Sequence, residues 1–84
     1  MKVRLFGGES CPICKIALTK LECEKEYISC EYIDAFADET QNICDENDVD
    51  ELPHIQIFDD HDSEKIIKEF KGIDVLKILR DICD

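Results

Sequence analysis

The stretch Lys2-Val3-Arg4-Leu5-Phe6-Gly7-Gly8-Glu9-Ser10-Cys11-Pro12-Ile13-Cys14-Lys15-Ile16-Ala17-Leu18-Thr19-Lys20-Leu21 carries two periodicities in succession. Val3 and Leu5 alternate with Lys2, Arg4 and Phe6, the two-residue period of a strand. Gly7 to Ser10 form a loop. Pro12 then stands where a helix starts, because its missing N–H would be unsatisfied at that position anyway. Beyond it, Cys14, Ala17, Leu18 and Leu21 fall at i, i+3, i+4 and i+7, with Lys15, Lys20, Glu22 and Lys25 mostly outward. The spacing predicts an amphipathic helix from Pro12 to about Glu26.

Outward from this unit, Ile28 to Asp34 is rich in β-formers and reads as a second strand. Asp38 and Gln41 have the spacing of a capping box, which predicts a short helix from Glu39 to about Glu46. The acidic loop Asn47 to Glu51 leads into Leu52-Pro53-His54. Ile55 to Phe58 reads as a third strand, Asp59 to Ser63 as a polar turn, and Lys65 to Phe70 as a fourth strand. A last helix follows Gly72, with Val75, Ile78, Leu79 and Ile82 at helical spacing. A β-α-β unit takes a right-handed crossover and makes two parallel strands, whereas the closing β-β pair makes an antiparallel hairpin. The order β-α-β-α-β-β-α therefore predicts an α/β fold, a four-stranded mixed sheet flanked by helices. That is the minimal thioredoxin fold, as one domain spanning 1–84.

The chain has 84 residues, 44% hydrophobic and 37% charged, as expected of a globular protein. No apolar run approaches the roughly 18 residues of a membrane helix, and no apolar signal region forms before Gly7. The chain thus reads as a complete cytoplasmic protein. Its 21 acids against 10 Lys and Arg give a formal charge of -11. No Lys or Arg lies between Lys25 and Lys65, where two-thirds of the acids fall. Such a surface repels phosphate backbones and anionic lipid, which argues against nucleic acid and membrane as partners. It serves solubility and also suits docking to a basic patch on a partner protein.

Six cysteines stand at 11, 14, 23, 30, 44 and 83. Three structural disulfides would be the reading for a small secreted domain. The lack of a signal region, only five Gly plus Pro, and enough periodic apolar residues for an ordinary core favour reduced thiols instead. Cys23, Cys30, Cys44 and Cys83 then read as small fillers. Cys11 and Cys14 differ because of their place. A thiolate is the attacking species in disulfide exchange, and the free N–H groups and positive dipole end of a helix N-terminus stabilise it. Cys11 precedes the helix and is expected to be exposed; Cys14 lies on the buried stripe. This makes an accessible nucleophile and a sheltered resolving thiol. Lys15 adds a cation that favours thiolate, and Glu9 acts the other way.

A C-x-x-C is also half of a zinc site, but no second Cys or His pair occurs at ligand spacing, so no metal ligands are assigned. Leu52-Pro53 before the third strand is the place for a cis bond that would set backbone groups beside the cysteines. Gly72 marks the turn into the last helix, with Asp74 in its first turn. His54 is expected at a strand edge on the surface and His61 in solvent, while Phe6, Phe58 and Phe70 are assigned to the core.

Together these motifs resemble a glutaredoxin, of the small bacterial and phage type. The resemblance rests on Cys11-Pro12-Ile13-Cys14-Lys15, Tyr32-Ile33-Asp34, Leu52-Pro53-His54-Ile55 and Lys71-Gly72-Ile73-Asp74, in order over essentially the whole chain. It implies a monomeric thiol–disulfide oxidoreductase that reduces protein disulfides or glutathione-mixed disulfides. Cys11 would be the nucleophile, Cys14 the resolving cysteine and Pro53 the cis proline. Pro12, Ile13, Leu52, Pro53, Gly72, Ile73 and Asp74 would line the substrate or glutathione site. Glutathione would be a co-substrate rather than a bound cofactor, electrons would come from it or from an NADPH-dependent disulfide reductase, and ribonucleotide reductase is one client the resemblance names. The chain lacks three common features of that family: a Lys just ahead of the first cysteine, Thr-Val before the proline and Gly-Gly before the last helix. Two other readings share the motif: an iron–sulfur cluster carrier bridged through Cys11 and glutathione, and a zinc-stabilised interaction module.

Overall fold

The computed structural model describes residues 1–24, 26–62 and 64–83, without the side chains of Ile82 and Cys83. The readings of Lys25 as outward, Ser63 as the end of the polar turn, Ile82 as apolar stripe and Cys83 as filler lie outside what it describes. Among the described residues, four strands and three α-helices follow in the order β1 Lys2–Gly7, α1 Pro12–Cys23, β2 Ser29–Asp34, α2 Gln41–Glu46, β3 His54–Phe58, β4 Ile66–Lys71 and α3 Asp74–Cys83. The sheet order is β2-β1-β3-β4. β1 runs parallel to β2 and antiparallel to β3, and β3 pairs antiparallel with β4. This is the four-stranded mixed sheet of the thioredoxin fold.

Both faces of the sheet are covered. Val3, Leu5, Ile55 and Ile57 pack on one face against Ala17 and Leu21 of α1 and Val75 and Leu79 of α3. The opposite face holds Phe6 and Ile33 under Cys44 of α2, with Ile43 and Leu52 packed alongside. A strand covered on both sides loses its polar face. Hence Phe6, on the outward side of the β1 alternation, is as buried as Leu5.

The same cause overturns the surface assignment of His54. β3 is an inner strand, with β1 on one side and β4 on the other, and all five of its residues are buried. His54 is only 5% exposed. Its Nε2 lies 2.7 Å from Glu69 Oε2, and its ring meets the Phe6 ring edge-on at 5.5 Å. Gln56, two residues on, is fully buried and donates to Asn47 Oδ1 at 2.9 Å and Glu69 Oε2 at 3.2 Å. A buried polar group without partners costs about 1–3 kcal/mol, so Glu69 and Asn47 are what let β3 carry His and Gln inward.

Two local expectations fail. Asp38 does not cap α2: it begins a 3-10 turn, Asp38–Thr40, that runs straight into Gln41, and no side chain caps either segment. Gln41 reaches back instead to the carbonyls of Ala35 and Ala37, at 2.8 and 3.1 Å. α1 stops at Cys23 rather than Glu26, because the chain turns at Glu24, whose carbonyl accepts the N–H groups of Tyr27 and Ile28.

Candidate functional site

The antiparallel pairings gather distant segments at one end of the sheet. Phe6, near the end of β1, pairs with His54 at the start of β3; His54 pairs in turn with Lys71 at the end of β4. The loop Gly8–Cys11 follows β1, Pro53 precedes β3 and Gly72 follows β4. The C-x-x-C loop, the proline and the α3 turn therefore share one rim.

Cys11 is the N-cap of α1, with extended backbone, and its Sγ accepts the N–H of Cys14 at 3.2 Å. Pro12 begins the helix and spends no N–H on the cap. The loop is closed by Cys11 N–H donating to Gly8 O at 3.2 Å. Cys11 and Cys14 are joined as a disulfide with Cα atoms 5.2 Å apart. Cys11 is half-buried and Cys14 is 1% exposed. An incoming thiolate therefore reaches Cys11 first. Pro12 is exposed and Ile13 half-buried beside the pair, and Lys15 is exposed on the first turn of α1.

The Leu52–Pro53 peptide bond is cis. Pro53 is buried, and its carbonyl accepts Gly72 N–H at 2.8 Å, which ties the proline segment to the β4–α3 turn. Gly72 has φ +64, a conformation that favours glycine, and a Cβ there would collide with the Glu51 carboxylate. Ile73 is 63% exposed beside it, and Leu52 is half-buried. Asp74 begins α3 and pairs with Lys77 at 3.7 Å. Lys71, the basic residue next to Gly72, is engaged with Asp50 at 3.0 Å. A groove of about 380 Å³ opens between β4 and the Asn47–Asp48 turn, lined by Asp48, His54, Glu69, Lys71 and Asp74. Three carboxylates face one lysine there.

Two aromatic residues at this rim escaped the sequence reading as site residues. A Cβ on Gly7 would stand 3.0 Å from the Tyr32 ring and hydroxyl and 3.1 Å from Cys14 Cβ, so the phenol and Cys14 flank the same glycine. A Cβ on Gly8 would collide with the Phe36 ring, which is 65% exposed. No local pattern in the sequence points to them; the parallel register of β2 sets Tyr32 beside Leu5 and Asp34 beside Gly7. The bare Gly7-Gly8 backbone is the room those rings occupy.

Of the other described thiols, Cys23 is exposed at the end of α1, while Cys30 and Cys44 are poor competitors. Burial, then Glu22 and Glu31, push Cys30 up to about 11. Burial, then Asp45 and Asp34, also push Cys44 up. Among the described residues, no three His, Cys, Asp or Glu side chains gather as a metal site would need, and no helix is long and apolar enough to cross a membrane.

No protein-family model matches the chain, and no curated protein does. Solved structures do. Thioredoxin 1 from the thermophilic eubacterium Thermosipho africanus superimposes with a TM-score of 0.75 at 26% identity, over 98% of this chain and 90% of that one. Mitochondrial thioredoxin 3 from Saccharomyces cerevisiae in its oxidised form gives 0.71 at 24% identity, over 96% and 74%. Thioredoxin f2, in its complex with ferredoxin:thioredoxin reductase, gives 0.74 at 20% identity, over 96% and 73%. A thioredoxin fold with a bonded Cys11–Cys14 pair at the head of its first helix supports thiol–disulfide oxidoreductase activity. These neighbours are thioredoxins, and they do not distinguish a thioredoxin from a glutaredoxin.

Proposed function

We propose that this chain is a cytoplasmic dithiol oxidoreductase of the glutaredoxin-like type, which reduces disulfides in protein clients and in glutathione-mixed disulfides. The observation that carries the reading is the asymmetry of the pair: Cys11 Sγ accepts a helix N-terminal N–H while Cys14 is buried. The Cys11 thiolate attacks one sulfur of the client disulfide, a mixed disulfide forms, and the other client sulfur leaves as thiolate. Cys14 then attacks Cys11 Sγ, closing the intramolecular disulfide and releasing the second client thiolate. Two electrons pass to the client, and the two protons of the dithiol end on its sulfurs.

The reductant that reopens the disulfide is glutathione or an NADPH-dependent disulfide reductase. Glutathione would lie along Pro12, Ile13, the Leu52 backbone, Pro53 and the Gly72-Ile73-Asp74 turn, with Lys15 favouring the Cys11 thiolate. The occupation of Lys71 by Asp50 and the acidic lining of the adjoining groove favour a protein reductase with a basic face over the anionic tripeptide. Thioredoxin f2, a neighbour in fold, is itself solved with a reductase bound. Ribonucleotide reductase is a client class to assay first.

The test is a coupled assay on a protein disulfide, run once with glutathione and glutathione reductase and once with a thioredoxin reductase. Turnover that needs Cys11 supports the reading. A protein that forms the Cys11–Cys14 disulfide but transfers electrons to no disulfide substrate from either source overturns it.

A further inference from the structure

Opening the disulfide places a negative charge on Cys14, the buried partner. A buried thiolate without a hydrogen bond is costly, because desolvation penalises the charged form. The helix N–H that serves the pair is already aimed at Cys11 Sγ. Tyr32 brings a second donor to this place. Its hydroxyl and Cys14 Cβ both lie within 3.1 Å of the point where a Gly7 Cβ would stand. Glycine is what admits the phenol, since a Cβ would crowd the ring and the cysteine alike. Parallel pairing of β2 with β1 holds Tyr32 there, with Leu5 opposite it and Asp34 opposite Gly7.

From this geometry we infer that the Tyr32 hydroxyl donates a hydrogen bond to Cys14 Sγ whenever the Cys11–Cys14 bond opens, and so sets how readily Cys14 leaves and returns as thiolate. The inference rests on the dithiol-exchange reading above. Burial, then Asp34 and Glu9, keep the phenol above its ordinary value, so at neutral pH it is a donor and not an anion. The step balances without a further reactant. A reductant thiolate attacks Cys11 Sγ, the S–S bond breaks, and its electron pair leaves on Cys14 Sγ. Tyr32 keeps its proton throughout. With dithiothreitol as reductant, its second thiolate then displaces Cys11. Dithiothreitol ends as its cyclic disulfide, and the two protons end on the protein thiols.

The experiment measures reduction of the oxidised protein by dithiothreitol between about pH 6 and pH 9, for wild type and Tyr32→Phe, which keeps the ring and removes the hydroxyl. Tyr32→Phe should react about tenfold more slowly, the size expected for loss of a hydrogen bond to a charged group. In a Cys14→Ser background, Tyr32→Phe should leave the rate and pH profile of Cys11 alkylation unchanged. Equal reduction rates in both proteins overturn the inference, as does an equal change in Cys11 alkylation. A wild-type disulfide that dithiothreitol does not open to two reactive thiols instead overturns the exchange reading beneath it. A second measurement keeps Tyr32 itself. In Tyr27→Phe protein, where the removed phenol is 74% exposed, ultraviolet titration reads Tyr32 alone among tyrosines. Its ionisation should move to higher pH on reduction, as a neighbouring thiolate appears, and Cys14→Ser protein, which forms no such disulfide, should titrate under reducing conditions as the oxidised parent does. An ionisation unchanged by reduction also overturns the inference.

Discussion

The backbone N–H of Cys14 donates to Cys11 Sγ across 3.2 Å, so the two cysteines are joined by a helix cap as well as by a disulfide. On the dithiol-exchange reading, the same N–H and the positive end of the α1 dipole would stabilise a Cys11 thiolate in the reduced protein. Reduced protein alkylated at pH 6 should therefore be labelled first at Cys11, with Cys30 and Cys44 far behind because both are held protonated. Cys11→Ser should abolish disulfide reduction, and Cys14→Ser should accumulate a mixed disulfide on Cys11. Peptide mapping by mass spectrometry reads all three. Faster labelling of any other cysteine would contradict the assignment.

Salt dependence separates the two reductants. Fourteen acids and no Lys or Arg lie between Glu26 and Glu64. Raising salt from about 0.01 M to 0.3 M shortens the Debye length from roughly 30 Å to under 10 Å. The second-order rate constant with a basic protein partner should fall clearly over this range, while that with glutathione should stay level or rise slightly. Stopped-flow measurement of both checks it; a glutathione rate that falls steeply would reveal a basic subsite.

Gly72→Ala should destabilise the fold by about 1–2 kcal/mol, the cost of a Cβ in left-handed backbone. The added Cβ also displaces the Glu51 carboxylate, and the turn it strains is anchored on the Pro53 carbonyl. Urea denaturation checks the stability, and the same variant should lose activity per folded molecule. An unchanged midpoint would show that the turn relaxes freely.

Glu69 gives the fold an acid limb. Burial opposes its ionisation, but hydrogen bonds from His54 and Gln56 and the His54 charge outweigh it and hold the carboxyl below its ordinary value. A lowered carboxylate stabilises the native state above the unfolded value of about 4.3, and that contribution is lost as pH falls through the folded value. Since the side chain is 45% exposed, solvent screening limits the effect to about 1 kcal/mol or less. Glu69→Gln should be less stable than wild type at pH 7, and the difference should close as the pH falls below the unfolded carboxylate value of about 4.3 and through the lower folded one. A gap independent of pH would assign the loss to packing alone.

Local pattern determined most of the architecture. The period change at Pro12, the β-former run ending at Asp34 and the polar turn before β4 are properties of neighbouring residues, and they lie within a few residues of the observed elements. The C-x-x-C at a helix start was legible for the same reason, because N-capping is a local interaction. His54 was not, since its burial depends on β3 lying between β1 and β4, and pairing with distant strands leaves no mark on the residue itself. Tyr32 and Phe36 were hidden likewise. Only the parallel register of β2 with β1 brings them over Gly7 and Gly8, from more than twenty residues along the chain. The sequence by itself determined which segments are strands and helices and which sulfur heads the first helix. Tertiary structure decided what surrounds that sulfur, because side chains distant in sequence meet only when the sheet aligns them.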